Sequence, residues 1–182
     1  VAHIHGEDVF GIVGENFTFP VKIDQKITEI LWTKIDKVAE WEGQNQPMYF
    51  TSLRNRGLLH KENGSLTIFN LESDDAGMYK LDYIDSVKKN EVLTFKLVVL
   101  DPPSEPKISC NISDDDLVLK CTSEFQKPLN YTWKFSSIPV TYQTQEVVIP
   151  KKNVNASEKA TCFIKFSQTE KSVEISLAQC FP

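Results

Sequence analysis

Asp75-Ala76-Gly77-Met78-Tyr79 is the stretch on which the fold turns. An acid, a glycine and a tyrosine at alternate positions, just before an alternating apolar run, fit the corner where a chain enters a central strand of a two-sheet β-sandwich. At such a corner the tyrosine hydroxyl bonds back to upstream backbone and pins one sheet to the other. Two residues past the tyrosine, where such a sandwich ordinarily carries a cysteine, stands Leu81.

Working outward from the corner, short apolar-alternating runs punctuated by turn residues recur along the chain, and no segment sustains helical periodicity over three turns. The reading is all-β. Over Asn16 to Val21, Phe17, Phe19 and Val21 fall on one face with Asn16, Thr18 and Pro20 on the other, as in a half-buried strand. Glu29 to Lys34 follows with Ile30 and Trp32 inward. Trp32 lies 13 residues after Phe19, the spacing between the first bridge position and the core tryptophan of an immunoglobulin-type sandwich. Phe19 and Leu81 then occupy the two bridge positions. Leu81 is either an apolar replacement that keeps the sandwich filled or a sign that the register is displaced by one; apolar residues at both positions favour the first.

Val38 to Glu42 and Pro47 to Thr51 supply an extra ribbon, which makes this half variable-type. Arg56 precedes a strand at Leu58 to His60 and is expected to pair with Asp75. Asn63-Gly64 forms a tight turn, because glycine tolerates positive φ. Ser65 to Phe69, Gly77 to Tyr83 and Val92 to Leu100 complete the first sandwich. Asp101-Pro102-Pro103-Ser104-Glu105-Pro106 then breaks the pattern, since prolines donate no ladder bond and stiffen the chain. Strands are expected beyond it at Lys107 to Asn111, Leu117 to Thr122, Tyr131 to Phe135, Glu146 to Ile149, Ala160 to Phe166 and Ser172 to Cys180. That small count favours constant-type topology. The expectation is therefore two tandem immunoglobulin-like sandwiches: residues 1–100, a proline-rich linker over 101–106, and residues 107–182.

The chain has 182 residues, which suits two domains of this size. All four cysteines lie in the second half, none at the short spacing of a zinc or redox motif. They are read as two disulfides, which need an oxidising compartment. Four cysteines allow three pairings. Cys121, Trp133 and Cys162 have the spacing of an inter-sheet bridge packed against a tryptophan, which leaves Cys110 with Cys180. Five glycosylation sequons, at Asn16, Asn63, Asn111, Asn130 and Asn155, point to the same compartment. Neither a charged, apolar leader at Val1 nor a run of 18 apolar residues is present. The chain is read as an ectodomain anchored to the membrane outside this stretch.

The first hundred residues carry 11 Lys/Arg against 15 Asp/Glu, and the rest 9 against 10. Neither half has the basic excess that nucleic acid or anionic lipid would attract. His3 and His5 lack a third metal ligand nearby, and His60 reads as an ordinary strand residue. Asp74-Asp75 and the Asp114-Asp115-Asp116 turn are better explained structurally than as a carboxylate pair for glycoside hydrolysis. The chain has no Gly-x-Ser-x-Gly, phosphate loop or cysteine-histidine dyad. An enzyme is not expected, nor is a cofactor or metal.

A cysteine-free variable-type domain, a proline linker and a constant-type domain with two bridges resemble the signalling lymphocyte activation family of leukocyte receptors. The residues carrying the match are Leu31-Trp32, Asp36-Lys37-Val38-Ala39-Glu40, Asn55-Arg56 and Gly64-Ser65-Leu66-Thr67-Ile68. The resemblance implies a cell-surface adhesion glycoprotein whose first domain engages a lymphocyte receptor with a complementary charged domain, supporting cell adhesion and costimulation. The face implied is rich in charges of both signs. With Tyr79 and Leu81 inward, Lys80 and Asp82 point out, and with Phe95 and Leu97 inward so does Lys96. Glu29 and Lys34 fall near the exposed edge of the Trp32 strand, and Lys37, Glu40 and Glu42 line the next. Asp36 lies in the matched segment, and the resemblance adds Phe50. A homophilic receptor of the same family is the alternative, followed by a secreted decoy or a carbohydrate-binding sandwich.

Overall fold

In the computed structural model the chain forms two compact units, residues 1–101 and 102–182. The structure describes residues 6–34, 37–43, 46–50, 53 and 55–181, with only the backbone of Lys37.

Unit 1 contains β1 (Glu7–Ile12), β2 (Phe17–Thr18), β3 (Ile27–Thr33), β4 (Lys37–Trp41), β5 (Met48–Tyr49), β6 (Gly57–Leu59), β7 (Leu66–Ile68), β8 (Gly77–Asp85) and β9 (Asn90–Leu100). One sheet has the order β1-β9-β8-β3-β4-β5 and the other β2-β7-β6. Between them Phe19 is fully buried, its ring centroid 4.8 Å from those of Trp32 and Tyr79 and 5.4 Å from that of Phe95. Leu81 joins the same core with no exposed surface. Apolar contact thus stands where a covalent link could have been, and the register places Leu81 inward as the alternation required. The Trp32 Nε1–H donates to the Gly64 carbonyl at 2.9 Å, satisfying the one polar group that this tryptophan buries. Gly64 adopts φ +79°, the left-handed conformation expected of it.

The corner takes the form read from the sequence. Ser73–Asp75 make one 3-10 turn, and the Tyr79 hydroxyl donates to the Asp75 carbonyl at 2.6 Å. Arg56 meets the Asp75 carboxylate with two nitrogens, at 3.0 and 2.9 Å, the fork geometry that suits a guanidinium. Burial first, and then the Asp75 charge, raise the Tyr79 pKa, so the hydroxyl stays a donor.

Three expectations for this unit need correction. The strand foreseen from Asn16 to Val21 contracts to Phe17–Thr18, with one more ladder bond from the Phe19 N–H to the Leu66 carbonyl at 3.0 Å, because Pro20 has no N–H to offer; the Val21 N–H instead turns back to the Phe19 carbonyl at 2.9 Å. Within the described part of Pro47 to Thr51 only Met48–Tyr49 is a strand, and Thr51 lies outside the described residues. β1 was not foreseen: it pairs in parallel with β9, Val9 beside Leu97 and Ile12 beside Leu100. Its alternation is blurred by Gly11 and by a run of buried residues at its end.

Unit 2 packs β10 (Lys107–Ser113), β11 (Asp116–Thr122) and β13 (Glu146–Pro150) as one sheet, with β12 (Asn130–Phe135), β14 (Lys159–Phe166) and β15 (Thr169–Ser176) as the other. Trp133 is fully buried in the core they enclose. Cys121 is bonded to Cys162 and Cys110 to Cys180. Cys180 ends a 3-10 turn, Leu177–Cys180, rather than the strand expected to reach it. The buried Glu158 carboxylate accepts from the Ser137 N–H at 2.8 Å, the Ser136 hydroxyl at 3.1 Å and the Ser137 hydroxyl. The segment 103–105 is fastened to this unit: the Ser104 N–H donates to the Glu124 carbonyl at 3.0 Å, and Lys171 donates to the Pro103 carbonyl at 2.7 Å.

Candidate functional site

The outer face of the six-stranded sheet gathers most of the charged residues singled out above. Because side chains alternate across a strand, β3 sends Ile30 and Trp32 inward and leaves Glu29, Leu31 and Thr33 outward. The register aligns these across the sheet. Met48, Glu40, Leu31, Asp82 and Val92 form one row; Thr33, Lys80 and Thr94 form the next. Beyond them Lys96 stands between Met78 and Asp8. On the other side Glu29 is followed by Ile84 and Asn90.

Charge is sorted along this surface. Glu29, Glu40, Glu42 and Asp82 line one shallow depression together with Leu31 and Ile84. Lys80 and Lys96 are exposed on β8 and β9, with the Lys80 ammonium 3.7 Å from Asp82. An apolar centre ringed by charge is the common anatomy of a protein-binding surface. Exposed pairs of this kind add little to stability, which leaves their charge available to steer a partner. Tyr83, half-buried at the edge of the depression, has its pKa raised by burial and then by Glu91.

Lys34 stands apart. Its ammonium reaches the Asp74 carbonyl at 2.5 Å and lies 5.8 Å from the centre of the Tyr79 ring, so it caps the tyrosine corner. Phe50 follows β5, half-buried, its N–H bonded to the Val38 carbonyl at 2.9 Å. Asp36, the side chain of Lys37 and the pair His3 and His5 lie outside the described residues. Among the described residues no group of three His, Cys, Asp or Glu side chains could hold a metal.

The site residues missed from the sequence are the apolar ones. Ile84 shares the parity of Lys80 and Asp82, but the strand was ended at Tyr83, one residue short of it. Leu31 alternates with Ile30 and Trp32, which puts it on the outer face. The sequon asparagines are all exposed. In unit 1, Asn16 precedes β2 and Asn63 lies in the turn between β6 and β7; neither is on the six-stranded sheet.

No family model matches the chain. Human lymphocyte function-associated antigen 3 is 26% identical over 182 residues, covering 97% of this chain and 71% of that protein. The chain is similar to lymphocyte function-associated antigen 3. The human CD48 antigen is 23% identical over 177 residues, with 92% and 73% covered. A crystal structure of the CD2-binding domain of CD58, the same antigen 3, matches with a TM-score of 0.53 at 25% identity, covering 94% of this chain and 97% of that one. The resemblance read from the sequence is borne out, as is the all-β, immunoglobulin-like fold with two disulfides. Cell-surface localisation, on the extracellular side of the plasma membrane, follows from the same kinship, and the disulfides suit that oxidising side.

Proposed function

We propose that the chain is the ectodomain of a cell-adhesion glycoprotein that binds a lymphocyte receptor through the outer face of β9, β8, β3, β4 and β5. The observation that carries this reading is a face charged with both signs, with Leu31 and Ile84 in the lining of its acidic depression, on a sheet bare of sequons. Similarity to a CD2-binding domain supplies the class of partner, a CD2-type receptor. Asp36 and Lys37, carried by the resemblance, and Phe50, which follows β5, are proposed as further partner contacts. Residues 1–100 act as a variable-type, partner-binding domain, an assignment supported by the β4–β5 ribbon between β3 and β6. Residues 101–106 serve as the linker and 107–182 as a constant-type domain, supported by its two three-stranded sheets. The five sequon asparagines carry glycans. Cell adhesion and costimulation follow from engagement between opposing cells.

Charge on such a face speeds encounter and penalises mismatched partners, while desolvation keeps the net gain small. The complex is therefore specific, fast to form and weak, as suits two cells joined by many contacts that must release together. Surface plasmon resonance against a CD2 ectodomain tests it: saturable binding is expected, weakened about tenfold or more by Glu40→Lys or Asp82→Lys. Absence of saturable binding, or indifference to both reversals, would overturn the reading.

A further inference from the structure

On the other sheet of unit 1 two large apolar side chains are left in water: Leu58 is 43% exposed and Phe69 38%. The register brings a modification site beside them. Phe17 faces Ile68, Thr18 faces Thr67, and Thr67 faces Leu58. One step along the same ladder sets Asn16 against Phe69. The regular ladder breaks just past that row, at left-handed Asn70, yet the segments stay joined: the Asn70 N–H donates to Asn16 Oδ1 at 3.1 Å, and the Leu71 N–H, one residue out of register, to the Glu15 carbonyl at 2.8 Å.

Parity fixes the side. Ile68 is fully buried in the core, so Thr67 and Phe69 point to the opposite surface of the sheet, where Thr67 is covered and Phe69 stays exposed. Thr18, whose Oγ1 is 2.6 Å from Thr67 Oγ1, shares that surface, and so does Asn16 two residues earlier. Directly opposed cross-strand side chains stand about 5 Å apart at Cβ. A sugar on Asn16 therefore begins within reach of the Phe69 ring.

We propose that the first N-acetylglucosamine on Asn16 packs its apolar C–H face over Phe69 and Leu58, making the glycan a structural part of unit 1. The inference rests on the glycoprotein reading above, and it concerns the sheet opposite the proposed receptor face. Exposed apolar patches on secreted domains are commonly covered; here the cover is tethered to the adjacent strand, so it is positioned without the entropy cost of capturing a free partner. The sequon at Asn63 lies in the turn at Gly64, where the Asn63 Oδ1 accepts from the Ser65 N–H at 2.8 Å.

The test is a coupling measurement on the full chain from a mammalian host, with occupancy of Asn16 established by glycopeptide mass spectrometry. Thermal midpoints of unit 1 are compared for the parent chain, Asn16→Gln, Phe69→Thr and the double variant. Loss of the glycan is expected to lower the midpoint by about 4 °C, and by less than half as much when Phe69 is Thr. Asn16→Gln also removes the bond from Asn70, but equally in both backgrounds, so the difference isolates the sugar. Should Asn16→Gln fail to fold, endoglycosidase trimming of the parent and Phe69→Thr chains to one N-acetylglucosamine is compared with complete removal by an amidase; the single sugar is expected to retain the midpoint only when Phe69 is present. An unoccupied Asn16, or an equal loss in both backgrounds, would overturn the proposal. Receptor binding stays unchanged in all of these variants if the proposed function holds, so failure of that reading is seen separately.

Discussion

At the scale of residues, unit 1 depends on packing where related sandwiches depend on a covalent bond. Tyr79 contributes both a fully enclosed ring and a hydroxyl held by Asp75. Tyr79→Ala is expected to cost unit 1 about 3–5 kcal/mol, the range for truncating a buried aromatic. Calorimetry on the whole chain should show the first unit unfolding earlier while the second keeps its midpoint. Glu158 makes an opposite kind of test in unit 2. Hydrogen bonds from the Ser137 hydroxyl and N–H hold its pKa below the ordinary 4.5. A group depressed in the folded state adds stability that is complete above the unfolded pKa and lost as pH falls through the folded one. Unit 2 should therefore lose stability on acidification below about 4.5, and Glu158→Gln should flatten that acid limb in a pH series of denaturant midpoints. The Tyr79 corner was legible in sequence because its partners lie within four residues and one motif. Glu158 was not, since Ser136 and Ser137 are more than twenty residues away and no local pattern links them.

At the scale of elements, the strands that read well were those with clean alternation: β3, β8, β9, β11 and β14 appear within a few residues of their expected bounds. β1 escaped notice because its burial runs together at Gly11 and Ile12, and its partner is reached through a parallel pairing across most of the unit. On β8 and β9 the charges of the candidate face are legible from parity, Lys80, Asp82 and Lys96 alternating with buried Tyr79, Leu81, Phe95 and Leu97. Ile84 is one residue past the expected end of β8, and Lys34, expected near the exposed edge of β3, has the parity of inward Trp32 and turns to the tyrosine corner. Lys80 and Asp82 on β8 give the face its kinetic signature. Lys80→Glu is expected to lower the association rate more than it raises the dissociation rate, with the difference shrinking as salt rises. A dissociation rate that carries the whole effect, independent of salt, would contradict steering by this strand.

At the scale of the whole molecule, the two units are held by different chemistry. No cysteine lies before Cys110, whereas unit 2 closes two loops with bridges separated by 70 and 41 residues. Each such closure contributes about 4 kcal/mol on the chain-entropy account. Treatment with dithiothreitol should lower the unfolding midpoint of unit 2 sharply and leave that of unit 1 unmoved; equal losses in both would contradict the division. The bridge-free core has a mechanical consequence as well. Strands β3, β4 and β8, which carry the proposed receptor face, belong to the same hydrogen-bonded sheet as β9, the strand through which the chain leaves unit 1 at Leu100. Tension applied at the face can run to that exit along one continuous ladder, without crossing the apolar gap to β2, β7 and β6. A bolt between the two layers would lie off the line of pull.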